Sequence, residues 1–262
     1  MSIIRVVDLE TTGFPPDAEV IEIATVDVVA RPYHAPRIVD ESCFALVKPG
    51  RAIPPESSAV HHLVDDDLID CASWDETWPL FVCDAPPIWA AHSAKFERHF
   101  ISDEMTVGAS WICTWKCALR LWPEAPSHSN QALRYWLRPP QMDRRRAQLA
   151  HRALPDAYVT AHLLAMMIER SSVEQLVAWT GEPAVLARIP FGNMRGRPWG
   201  EADTSFLHWV LARDFDDDVM HTARSELERR RKADPPDDVD ELDDEDETPP
   251  CQVPVTAGEV AG

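Results

Sequence analysis

The chain has 262 residues, 45% of them hydrophobic, with a formal net charge of -19. That is room for one large domain, or a domain with a small module. No run of eighteen apolar residues occurs, and Met1-Ser2-Ile3-Ile4-Arg5 leads straight into a strand pattern. Neither a membrane span nor a signal peptide is therefore expected, and the cytoplasm is the expected location.

Ile3 to Val7 is a short apolar run closed by Asp8, the pattern of a buried strand. A second strand is expected over Val20 to Val29 and a third over Ser42 to Val47. The first two are joined by a turn containing Gly13, Pro15 and Pro16. Pro87 to Ala91 reads as a further strand leading into a helix from about Ala94. Trp111 to Cys113 reads as another, followed by helices over Trp115 to Leu121 and Asn130 to Leu137. The clearest helix is expected to open at Pro155, since the first turn tolerates a missing N–H. Ala157 to Ile168 is apolar nearly all round, so this helix should be buried. Ser171-x-x-Glu174 fits a capping box for a helix through Trp179, ended by Gly181. Strands followed by alternating strands and helices point to an α/β layered fold.

A second unit is expected from Ile189, with a turn-rich basic stretch from Phe191 to Pro198 and helices over Ser205 to Ala212 and Val219 to Arg231. From Ala233 onward there are eleven acidic residues and no Lys or Arg. Without those eleven the remainder stands at -8 and still carries Arg144-Arg145-Arg146 and Arg229-Arg230-Arg231-Lys232. A segment so charged and so poor in apolar residues repels itself and is expected to be disordered. The expected units are residues 1–182, a C-terminal module over 189–232 and a tail over 233–262. The six cysteines lack paired metal-site spacing and are expected as free thiols. Trp111, Trp115 and Trp122 sit among apolar segments and are expected in the core.

Chemistry concentrates at three places. In Val6-Val7-Asp8-Leu9-Glu10-Thr11-Thr12-Gly13, Asp8 and Glu10 are two apart on a strand and so present two carboxylates on one face. Their repulsion is resolved by a divalent cation, and hard oxygen donors favour Mg²⁺ or Mn²⁺. Taken alone, the pair also fits two exposed acids at a strand edge. His151-Arg-Ala-Leu-Pro-Asp156 puts a histidine just before the buried helix and an aspartate in its first turn. Alone, Asp156 also fits a partner for the helix dipole.

Taken in order with Ala91-His-Ser-Ala-Lys-Phe96, these motifs resemble the DEDDh 3'→5' exonuclease family, which has a ribonuclease H-like fold. Trp111-Ile-Cys-Thr114, Arg120-Leu-Trp-Pro123, Ser129-Asn130-x-Ala-Leu133 and the stretch from Phe191 to Arg197 extend the resemblance over roughly residues 3 to 231. It implies a mixed β-sheet flanked by helices and a metal-dependent hydrolysis of DNA to nucleoside 5'-monophosphates, with single-stranded 3' ends preferred, in repair or end trimming. It further implies that Asp8, Glu10 and Asp156 bind two Mg²⁺ or Mn²⁺ ions, with Asp8 bridging both. His151 is then the general base, the role histidine most often fills in proton transfer. The family's second motif has aspartate after Phe; here that position is Glu97, one methylene longer, and the resemblance implies that it supports the outer ion as the fourth acidic residue of the site. Thr11, Thr12, Phe14, His61 and Asn130 are candidates for contacting the terminal nucleotide. For Thr11 and Thr12 a purely turn-forming role stays open, as does a core role for Phe14. Arg144 to Arg146 are candidates for guiding the strand. A protein partner is possible through the C-terminal module or the acidic tail. Trimming of RNA 3' ends, and a silent nucleic-acid-binding or scaffold role caused by Glu97, remain alternatives.

Overall fold

A computed structural model describes residues 1–82 and 86–233. The expected disorder of the acidic tail concerns residues outside those described, as does the state of Cys83 and Cys251; Cys43, Cys71, Cys113 and Cys117 are free thiols.

Five strands form one sheet: β1 (Ser2–Thr11), β2 (Val20–Arg31), β3 (His34–Leu46), β4 (Ile88–Ala91) and β5 (Ser110–Cys113). Their order is β3-β2-β1-β4-β5; β2 pairs antiparallel with both β1 and β3, whereas β4 pairs parallel with β1 and β5 parallel with β4. The third strand is far longer than expected. It is the edge strand, where Pro36 costs no ladder bond and the charges at Arg37 and Glu41 meet solvent. Nothing in that polar stretch has the apolar signature of a buried strand.

The helices are α1 (Pro55–His61), α2 (Trp74–Thr77), α3 (Ala94–Glu97), α4 (Thr114–Leu121), α5 (Asn130–Leu137), α6 (Ala153–Ile168), α7 (Val173–Gly181), α8 (Thr204–Leu211) and α9 (Asp217–Ala233). Two starts differ from expectation. α6 begins two residues before Pro155, which is tolerated because none of the first four N–H groups of a helix has an intrahelical partner. α7 is capped by Ser172, whose hydroxyl accepts from the Gln175 N–H; Ser171 still donates its own N–H back to Met167. The capping box therefore does not run from Ser171 to Glu174. No described helix is long and apolar enough to cross a membrane.

Side-chain parity on β1 divides the core. Ile4 and Val6 face the layer holding α4, α5, α6 and α7, whereas Val7 and Leu9 face a second cluster with Trp78, Phe81, Trp89 and Trp111. Trp111 and Trp122 are buried and Trp115 is half-buried against the second cluster. The apolar α6 packs across β1 and β2, as its composition requires. Asp8 and Glu10 share the parity of Ile4 and Val6, so the sheet presents both carboxylates to the end of α6 that starts at Ala153. A separate cluster around Ile189, Trp199, Leu207, Val210 and Ala223 closes α8 and α9 on each other.

Candidate active site

The first turn of α6 brings Asp156 onto the sheet. Asp8, Glu10 and Asp156 each offer a carboxylate oxygen, and these oxygens all lie within 4.8 Å of one another. Glu97, at the end of α3, is 4% exposed but stands outside that triangle. Its Oε2 is buried without a hydrogen-bond partner among the described residues.

Packing acids together in a shielded place disfavours their charged forms. Asp8 is raised well above the usual carboxylate range, first by burial and then by Asp156, Glu10, Glu97 and Glu22. Burial, with Asp156 and Glu22, lifts Glu10 to about 8, against the opposing pull of Arg152. Burial likewise lifts Glu97 to about 8, with a contribution from Glu10. Asp156 is raised by burial, partly offset by hydrogen bonds from Gln131 and the His151 backbone.

Several residues that the sequence reading passed over build this arrangement. Glu22 lies opposite Glu10 across the β1–β2 ladder and is 1% exposed. Its carboxylate takes a two-pronged ion pair from Arg152, at 2.9 and 2.8 Å, and accepts the Ala153 N–H at 3.0 Å. Thus the residue after His151 is bolted to the sheet. Asp156 Oδ2 accepts the His151 N–H at 2.7 Å, and Gln131 Nε2 donates to Asp156 Oδ1 at 2.6 Å. Arg134 in turn donates to Gln131 Oε1 at 2.9 Å and to the Ala147 carbonyl. His151 itself is exposed, with φ of 60°, and lines the cleft. A charged Glu22 within the apolar run Val20-Ile-Glu-Ile-Ala was the available signal.

The carboxylates open into a cleft of ≈ 560 Å³, also lined by Thr11, Thr12, Phe14, His61, Phe96 and His151. Phe14 is 86% exposed and meets Phe96 edge to face, with ring centroids 6.2 Å apart, which places it at the rim and not in the core. The hydroxyls of Thr11 and Thr12 are used within the turn: Thr11 donates to the Gly13 carbonyl and Thr12 accepts the Glu19 N–H. The Thr12 N–H donates to the Glu19 carbonyl. His61 is 2% exposed; Nδ1 accepts the Leu63 N–H, while Nε2 is buried without a partner among the described residues. Asn130 does not line the cleft. Its amide donates to the Asp156 carbonyl and to Thr160 Oγ1, pinning α5 to α6.

A model of a protein family described as Exonuclease (RNase_T) matches residues 6–164. Exodeoxyribonuclease 10 of Escherichia coli strain K12 is 32% identical over 213 residues, covering 79% of this chain and 90% of that protein. The DNA polymerase III subunit epsilon of Treponema pallidum is 27% identical over 180 residues, 62% of this chain and 74% of that one. Among solved structures, Exonuclease X in complex with 5' overhanging duplex DNA superposes with a TM-score of 0.55 at 32% identity, covering 68% of this chain and 99% of that one.

Proposed function

The chain belongs to the exonuclease family, of the DEDDh type, and we propose that it removes nucleotides from the 3' end of a DNA strand, preferring single-stranded ends and releasing nucleoside 5'-monophosphates in repair or end trimming. The observation that carries this reading is the convergence of Asp8, Glu10 and Asp156 from β1 and α6 at the floor of one cleft. The relatives named for DNA support the choice of substrate. Residues 1–182 are the exonuclease unit in this reading, with residues 189–232 as an appended module and 233–262 as a tail.

The donor set fits a hard divalent cation. Three close carboxylates with raised pKa values, and a fourth with a buried oxygen that has no hydrogen-bond partner among the described residues, are hard oxygen donors of the kind such a cation takes. Asp8, Glu10 and Asp156, with Glu97 as fourth ligand, would hold Mg²⁺ or Mn²⁺, two ions per site. Such cations supply Lewis acidity toward a phosphodiester and its leaving oxygen. His151, at the rim, takes the proton of the attacking water as general base. Phe14 offers an aromatic face to the terminal base, which needs no sequence preference. His61 borders the same cleft, and its unpartnered Nε2 is a polar contact for the terminal nucleotide.

The decisive assay is digestion of a 5'-labelled single-stranded DNA and a matched RNA, in Mg²⁺ and in Mn²⁺, with Asp8→Ala as the control for contaminating nuclease. A ladder that shortens from the 3' end, lost with chelator and in the variant, supports the reading. The DNA-to-RNA rate ratio fixes the sugar. Strand binding without turnover would instead favour the silent binding protein, to which the position of Glu97 outside the triangle lends its one structural argument.

Two further outcomes are expected. Glu97→Asp should raise kcat, by up to roughly 10²-fold if the longer side chain misplaces its ligand by about 1 Å. An unchanged or lower rate would show that glutamate is the residue this site is built for. Second, the metal-free protein should lose stability as pH rises. Glu10 and Glu97 hold protons in the folded state up to about 8 that the unfolded chain releases near 4.5, so folding binds protons and is favoured at the acid end of that window. Melting in EDTA should fall by about 10 °C between pH 5 and 8, equivalent to a few kcal/mol. Added Mn²⁺ should restore most of that loss at pH 8 and change little at pH 5. A flat profile, or equal metal effects at both pH values, would contradict the site.

A further inference from the structure

The floor of the cleft is acidic, yet a strand entering it carries a charged backbone that must lie somewhere. The structure offers a second concavity of ≈ 580 Å³, lined by Arg134, Tyr135, Arg138, Pro139, Met142 and Arg144, with no carboxylate in its lining. Over Arg134 to Arg146 this strongly acidic chain has five arginines and one acidic residue, Asp143, whose carboxylate is turned onto the Arg145 N–H at 2.8 Å. Arg138 and Arg144 are exposed, and among the described residues neither guanidinium forms an ion pair. Tyr135 is 63% exposed, with the Arg134 guanidinium 4.8 Å from its ring centroid. Arg134 itself is buried and spent on backbone carbonyls and Gln131, so it shapes the groove and does not reach out of it. The neighbouring Arg146 lies over Tyr158 at 4.3 Å and is not among the groove residues.

We propose that this groove is a binding site for the backbone of the nucleic-acid strand upstream of the cleaved end, with Arg138 and Arg144 on phosphates and Tyr135 beneath a base. The proposal rests on the exonuclease reading and specifies where its substrate runs. Helix α5 connects the two places directly: Gln131 holds the Asp156 carboxylate at one end, and Arg138 caps the other. Seven residues of helix are about 10 Å. At about 3.4 Å per nucleotide along a strand, that is about three nucleotides. Exposed arginines and an exposed aromatic ring in one groove are the combination that tracks a single strand without reading its sequence. An acidic protein segment would find the charges but would have no use for the exposed ring.

The test compares the full-length protein with Arg138→Ala/Arg144→Ala and with Arg138→Lys/Arg144→Lys. Turnover is measured on thymidine 5'-monophosphate p-nitrophenyl ester, too short to leave the cleft, and on dT12. Binding of fluorescein-labelled dT12 is measured by anisotropy in Ca²⁺ across a salt series. The alanine pair should weaken dT12 binding by roughly tenfold and raise its KM alike. It should lower the slope of log affinity against log salt by about 1.4, two single-strand phosphates. The short ester should be cleaved as before, and the lysine pair should keep most of the slope. An unchanged slope and affinity for dT12, or an equal loss on the short ester, overturns the groove. If the wild-type protein cleaves neither substrate, the exonuclease reading fails separately, and the anisotropy arm still decides the groove.

Discussion

Asp8→Asn is expected to lower hydrolysis of DNA by roughly 10³-fold or more while making the metal-free protein harder to melt at pH 8. The rate loss follows from the proposed role: if Asp8, Glu10 and Asp156 act as a unit, losing one member approaches the loss of all. The stability gain follows from the same position. Asp8 is disfavoured as an anion by burial and by Asp156, Glu10, Glu97 and Glu22 together. An amide removes one of these charges without changing the side chain's shape, so at pH 8 the remaining acids repel less. A rise in melting temperature of several degrees corresponds to one or two kcal/mol in a chain of this size. The difference should shrink as pH falls, because a carboxyl raised well above its ordinary range takes up its proton in the fold early in an acid titration. Function and stability would thus move in opposite directions at one residue. Retained turnover would remove Asp8 from the reaction; a lower melting temperature at pH 8 would mean its carboxylate has a stabilising partner.

The parity of Asp8 and Glu10 on a strand is legible in a run of ten letters, because the backbone of β1 fixes which side chains share a face. So is the burial of α6, whose residues are apolar on every side. What brings Asp156 to them is long-range packing of α6 on β1 and β2, which no local pattern contains. Glu22 and Gln131 escape a sequence reading for a related reason. Each contacts the cluster across more than twenty residues of chain, Glu22 through Arg152 and Gln131 through Asp156 itself. Asn130 sits next to Gln131 on α5, and helical geometry turns it about 100° away, so its amide bonds α6 instead of facing the cleft. The length of β3 was hidden because an edge strand need not be apolar.

Arg152→Met is expected to combine the largest loss of stability outside the core with a loss of rate, and the two can be separated. Arg152 is a cation set among these acids, gripping Glu22 with both arms of its guanidinium while its side chain stays 28% exposed. Its removal strands a carboxylate that is 1% exposed and, among the described residues, keeps the Ala153 N–H as its one donor. Breaking such a pair from one side costs about 3 kcal/mol, the low end for buried pairs because this guanidinium reaches water. Melting should fall by roughly 6 to 12 °C. Arg152 also adjoins His151 and anchors its loop to β2; a base displaced by about 1 Å loses roughly 10²-fold in kcat. Because Arg152 is the charge that lowers the Glu10 pKa, the acid limb of the rate profile should move to higher pH in the variant. Adding Glu22→Gln removes the stranded charge. The double variant should recover most of the melting temperature while kcat stays low, since a neutral amide facing a thioether cannot hold the loop. Recovery of both together would reduce the ion pair to a structural strut, and no loss in the single variant would leave His151 positioned by its N–H bond to Asp156 alone.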